Sequence, residues 1–116
     1  MDKELADRIR REIGDDPNIG ELRMFGGLCF MLNGNMLVCT TRDNGLLARI
    51  GEAALADAVA QPGVAAMVMG GRTMKDYAHV AADHLGDAAL RIWIARATDF
   101  VGPMPQKTKK AAKALR

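Results

Sequence analysis

The sequence predicts a two-layer α+β domain built on a mainly antiparallel sheet. Three observations carry that prediction. Helix-spaced apolar stripes lie near both ends of the chain, at Leu5, Ile9 and Ile13, and at Leu90, Trp93, Ile94, Ala97 and Val101. Short apolar runs bounded by Gly, Asn and Asp fill the region between them. The turns joining most of those runs are too short for crossover helices, so neighbouring strands should run antiparallel. The expected order is α-β-β-β-α-β-β-α.

The first helix covers residues 2–14, with Asp2 as N-cap and Gly14 as terminator. Glu4–Arg8, Asp7–Arg11 and Arg8–Glu12 stand at i,i+4 spacing, which marks a solvated outer face. A loop with Pro17 follows. Residues 21–33 read as extended, and Gly26-Gly27 interrupts them as a bulge or as a sharp bend between two strands. Asn33-Gly34 is the strongest hairpin signal in the chain. If the loop holds the three residues Asn33, Gly34 and Asn35, then Cys29 and Cys39 stand directly opposite on paired strands.

The return strand covers 36–42, Asp43-Asn44-Gly45 forms a second turn, and a short strand covers 46–50. Both faces of this meander of three main strands are apolar. Leu28, Phe30, Leu32 and Val38 are expected on one face, and Cys29, Met31, Leu37 and Cys39 on the other. A sheet with one wet face alternates more cleanly. Either helices cover part of both faces, or one face meets a partner. A second helix spans 52–60 and stops at Gln61-Pro62-Gly63. A strand at 64–69, a tight turn or bulge at Gly70-Gly71 and a strand at 76–81 come next. The closing helix starts with Asp87 as N-cap and ends at Gly102-Pro103.

A chain of 116 residues supports one core. Its apolar runs fall short of a membrane span and its N-terminus is charged, so the expectation is a cytoplasmic protein with no membrane contact. Charge divides unevenly. Residues 1–102 hold 11 Lys and Arg against 14 Asp and Glu, a net of −3. Residues 103–116 hold five cations and no acid, so the overall charge is +2. The body (1–102) is therefore mildly acidic, and 103–116 reads as a basic, disordered tail. Two cysteines are too few for a secreted disulfide scaffold. They read as two small apolar residues on a sheet face, with a regulatory disulfide as the alternative.

No catalytic group assembles from the sequence. The chain has no serine, and its threonines have no evident base partner. His79 and His84 with the two cysteines lack paired-ligand spacing, so no metal and no cofactor are expected. Three sets of binding candidates remain. An anion nest would use Gly70, Gly71, Arg72 and Lys75, against the reading that these glycines serve tight turns. Lys107, Lys109, Lys110 and Lys113 of the tail would hold nucleic acid through phosphate contacts, against the reading of a solubilising appendage. The third set is a methionine-rich surface in the first sheet segment, at Met24, Met31 and Met36, against the reading of Met as core filler.

One pattern is more specific than its pieces. Arg23-Met24-Phe25-Gly26-Gly27, then Phe30, Gly34, the run Gly45 to Ile50, and Met69-Gly70-Gly71-Arg72-Thr73-Met74-Lys75 occur in this order, closed by a Trp-bearing helix and a proline stop. In these features the chain resembles the TfoX N-terminal domain (TfoX/Sxy-like) family, as a short single-domain member. The resemblance covers roughly residues 20–106. It implies a secretion-chaperone-like α+β fold, no established catalytic residues, and a competence-type role in transcriptional regulation. Better-known members carry a second domain and act with a transcription activator. The segment Lys75 to Val80 lacks the paired aromatics usual after Met74.

The expected function is a non-enzymatic protein-interaction module. The expected partners are a second copy, as a homodimer, and an unknown protein, with the transcription machinery as one candidate. Its surface candidates are Arg23, Met24, Phe25, Gly26, Gly27, Met31 and Met36. Nucleic-acid binding through the tail and binding of a small anion or ligand are the alternatives.

Overall fold

The computed structural model describes residues 3–24, 26–69 and 71–105. The elements are α1 (Lys3–Ile13), β1 (Ile19–Met24), β2 (Gly27–Leu32), β3 (Asn35–Thr40), β4 (Leu46–Arg49), α2 (Glu52–Ala58), β5 (Val64–Met69), β6 (Arg72–Val80) and α3 (Asp87–Val101), with a short 3-10 turn at Ala82–His84. The strands form one six-stranded sheet in the order β1-β2-β3-β4-β6-β5. All its neighbours are antiparallel. This is the two-layer α+β class expected from the sequence.

The meander has four strands, because the extended stretch 21–33 divides into β1 and β2. Of the two readings of Gly26-Gly27, the sharp bend between strands is the one found. Gly26 adopts φ +76°, a left-handed conformation that glycine enters at little cost. Gly27 lies so close to the Thr40 backbone that a Cβ there would overlap the carbonyl. The Leu28 N–H then donates to Thr40 Oγ1 at 3.0 Å in a buried position. The glycine pair thus reverses the chain and seats it on β3.

The β2–β3 turn is shorter than expected. Leu32 pairs with Asn35, leaving only Asn33 (φ 52°) and Gly34 (φ 82°) in the loop. Two successive positive φ angles match the right-handed twist of the flanking strands. The register then shifts between Phe30 and Met31, where one extra residue, Leu37, enters β3. A two-residue turn plus one bulged residue produces the same offset as a three-residue loop, so Cys29 does face Cys39. The bulge also corrects the face assignment of Leu37. It is fully buried with the helix-side core, and Met36 shares the cysteine face instead.

Three further boundaries differ. α3 has Gly86 as its N-cap, and Asp87 is the first helical residue, where its carboxylate meets the positive end of the helix dipole. β6 begins at Arg72, because Arg72, Thr73 and Met74 pair back onto Met69, Val68 and Met67 across the turn at Gly71. The packed body continues past Gly102, since Met104 lies against the core. Asp2, and the lysines Lys107, Lys109, Lys110 and Lys113, lie outside the described residues.

All the described helices bury their apolar stripes against the same side of the sheet. Leu5, Ala6 and Ile9 of α1, Leu55 and Ala58 of α2, and Leu90, Trp93, Ile94, Ala97 and Val101 of α3 join Leu28, Phe30, Leu32, Val38, Leu46, Ala48, Ala78 and Val80 in one core. The stripe read from the closing helix is therefore the buried one. Burial of these side chains supplies most of the drive to fold. Among the described residues no helix is long and apolar enough to cross a membrane.

Candidate functional site: the helix-free face of the sheet

Side chains alternate along a strand, so the other face of the sheet is built from the intervening residues. The strand pairings place Leu22, Cys29, Cys39, Leu47, His79 and Ala65 in one row that crosses all six strands. At its centre Cys29, Cys39 and Leu47 form a second apolar cluster with Met31, Met36, Met67 and Tyr77 packed around them. This cluster contains no helical residue. Cys29, Cys39 and Leu47 are at most 1% exposed, whereas the three methionines and Tyr77 are half-buried and Leu22 is 49% exposed. The two-sided apolar meander read from the sequence is thus resolved: among the described residues, helices cover one side only.

Cys29 and Cys39 are joined as a disulfide between strands β2 and β3, with Cα atoms 4.0 Å apart. Both cysteines lie buried among apolar side chains on a sheet face, as expected, and the structure links them as well. The reason is the register: directly opposite residues on antiparallel strands have side chains on the same face and in contact.

Two polar features border the apolar centre. Arg49, at the end of β4, points to the same face as Leu47. Its guanidinium carbon lies 5.6 Å from the Tyr77 ring centroid, and Nη2 lies 3.7 Å from Asp76 Oδ2. Its Nε is buried with no hydrogen-bond partner. Burial pushes the Tyr77 phenol above its usual value, and the nearby Arg49 charge only partly offsets this. On the other side, the Thr41 hydroxyl donates to Asp43 Oδ1, and His79 Nε2 stands 3.4 Å from the same oxygen. The Thr41 hydrogen bond, followed by His79, holds the Asp43 carboxyl below the usual carboxylate range. Gly45 N–H donates to Thr41 Oγ1 at 3.0 Å, so this network fastens the β3–β4 turn.

The surface candidates divide between several places. Met31 and Met36 lie on the helix-free face. Arg23 is exposed, but it pairs with Leu28 and so shares the helix-side face. Gly26 and Gly27 serve the chain reversal described above. Phe25 lies outside the described residues, as does the side chain of Met24.

Of the anion candidates, Gly70 lies outside the described residues. Gly71 supplies φ +79° for its turn, and a Cβ there would meet open space. Arg72 and Lys75 line a shallow depression of about 560 Å³ together with Glu52, Thr73, Met74, Asp76 and Tyr77. Its two cations face two carboxylates, so its formal charge is zero. Sequence reasoning missed Leu22, Leu47, Arg49 and Tyr77 as members of one surface. Their only sequence signal was alternation within separate strands, and it does not say which strands are neighbours.

An antiparallel sheet with helices on one side and an apolar, arginine-bordered opposite side defines a small α+β domain with one open sheet face. The family model for the TfoX N-terminal domain matches residues 14–101, and the chain belongs to that family. The comparisons with curated proteins and with solved structures return no match.

Proposed function

We propose that this chain is a non-enzymatic protein-interaction module that docks through the helix-free sheet face and self-associates as a homodimer. The observation that carries the reading is the second apolar cluster, which no described helix covers. Half-buried methionines suit such a surface, because their unbranched, polarisable side chains adapt to a partner's shape. Arg49 adds a directional element. A carbonyl or carboxylate from a partner would meet the part of its guanidinium that is still exposed, the side chain being 23% accessible. Membership of the TfoX N-terminal domain family supports a regulatory role of the competence type, in which such a module acts through the protein it binds.

Sedimentation velocity across the micromolar range tests the homodimer. The expected result is a concentration-dependent shift from monomer to dimer, abolished by Met31→Glu together with Met36→Glu while the far-UV spectrum is unchanged. A wild-type protein that stays monomeric throughout the range refutes self-association. A dimer that survives both substitutions places the interface elsewhere.

A further inference from the structure

We propose that Cys29 and Cys39 are a reversible thiol–disulfide pair, which exchanges with small dithiols and disulfides when the edge strand β1 opens. Three observations point there. The bond spans a sequence separation of only 10, across a hairpin that the Asn33-Gly34 turn and the β2–β3 ladder already close. Neither sulfur belongs to the helix-side core, so that core has no need of the bond. The two flanks of the pair along its row differ. Buried Leu47 of the central strand β4 stands beside Cys39, whereas Leu22 of the edge strand β1, 49% exposed, stands beside Cys29.

Among the described residues β1 is the edge of the sheet and pairs with β2 alone. Its residues Gly20, Glu21, Leu22 and Arg23 are all exposed. A segment with little buried surface opens at lower free energy than the strands inside the sheet. In the closed state the two cysteines are at most 1% exposed, which shields them from reagents. On opening, Cys29 becomes the accessible sulfur. A thiolate of a small dithiol attacks it, the S–S bond breaks, and Cys39 leaves as a thiolate that takes a proton from water. The second thiol of the reagent then attacks the mixed disulfide and releases Cys29. Two electrons and two protons reach the protein pair, and the reagent is left as its cyclic disulfide. The reverse reaction needs the oxidised reagent and restores the bond.

The full chain is equilibrated in buffers with graded ratios of reduced to oxidised dithiothreitol, acid-quenched, alkylated and weighed intact. The sequence has only these two cysteines, so the label count reports the pair directly. The expected result is one transition between unlabelled and doubly labelled protein, coincident from both directions, with the far-UV spectrum and Trp93 emission retained at each end. Leu22→Ala should speed reduction several-fold without moving the midpoint. Three results would overturn the proposal: double labelling at every ratio, labelling only after urea is added, or loss of the folded spectrum on reduction. The pair lies on the face that the proposed homodimer covers, so the titration is run in dilute solution where sedimentation shows only monomer, and failure there leaves the interaction reading standing.

Discussion

Replacing Thr40 by valine should destabilise the domain by about 2 kcal/mol, because it leaves a buried N–H without an acceptor. Thr40 is fully buried, and its Oγ1 accepts from the Leu28 N–H at 3.0 Å. Valine keeps the shape and removes the oxygen. The loss therefore combines a hydrogen bond with the desolvation cost of an orphaned donor, for which about 1–3 kcal/mol is usual. With a urea dependence of about 1.5 kcal/mol per molar, the unfolding midpoint should fall by about 1.3 M. Thr40→Ser is the control. It keeps the acceptor and loses one buried methyl, at a cost of about 1 kcal/mol. Trp93 is the only tryptophan and is 5% exposed in α3, so its emission reports global unfolding. The order of stability should be wild type, then Thr40→Ser, then Thr40→Val, at a constant urea slope. Finding Thr40→Val as stable as Thr40→Ser would show that the hydroxyl does not hold the chain reversal at Gly26-Gly27.

Two other predictions bear on the open face and the tail. Tyr77 is the only tyrosine, and its folded-state pKa is raised by burial. Its stabilising effect is thus present below the unfolded value of about 10 and is lost as pH rises through the higher folded value. Ultraviolet titration of the phenol should show a midpoint above that of the urea-unfolded chain, and equal midpoints would mean the ring is not buried. We also propose that the basic residues after Pro105 retain nucleic acid weakly. Retention on immobilised DNA should fall steeply with salt and disappear when residues 106–116 are removed, whereas binding by the truncated protein would exclude them as its source.

Several features were legible in the sequence for local reasons. The closing helix shows its buried stripe because helical periodicity is written within one segment: Leu90, Trp93, Ile94, Ala97 and Val101 all reach the core. The hairpin at Asn33-Gly34 is equally local, since only residues that tolerate positive φ fit that turn. The opposition of Cys29 and Cys39 was reached with a loop one residue too long, and the bulge at Leu37 restored the count. The same bulge is why Leu37 was placed on the wrong face. A bulge has no strong signature in an apolar run such as Met36-Leu37-Val38, where either face would accept each residue.

The sequence by itself determined the class of fold, the family and the existence of two apolar sheet faces, because patterning and turn chemistry act over a few residues. Only the tertiary structure decided that β4 lies beside β6, that the described helices fall on one side, and that Leu22, Cys29, Cys39, Leu47 and His79 share a row. Strand order and helix placement arise from packing between segments distant along the chain. Alternation within a strand assigns its residues to two faces, but it does not say which face the helices will bury.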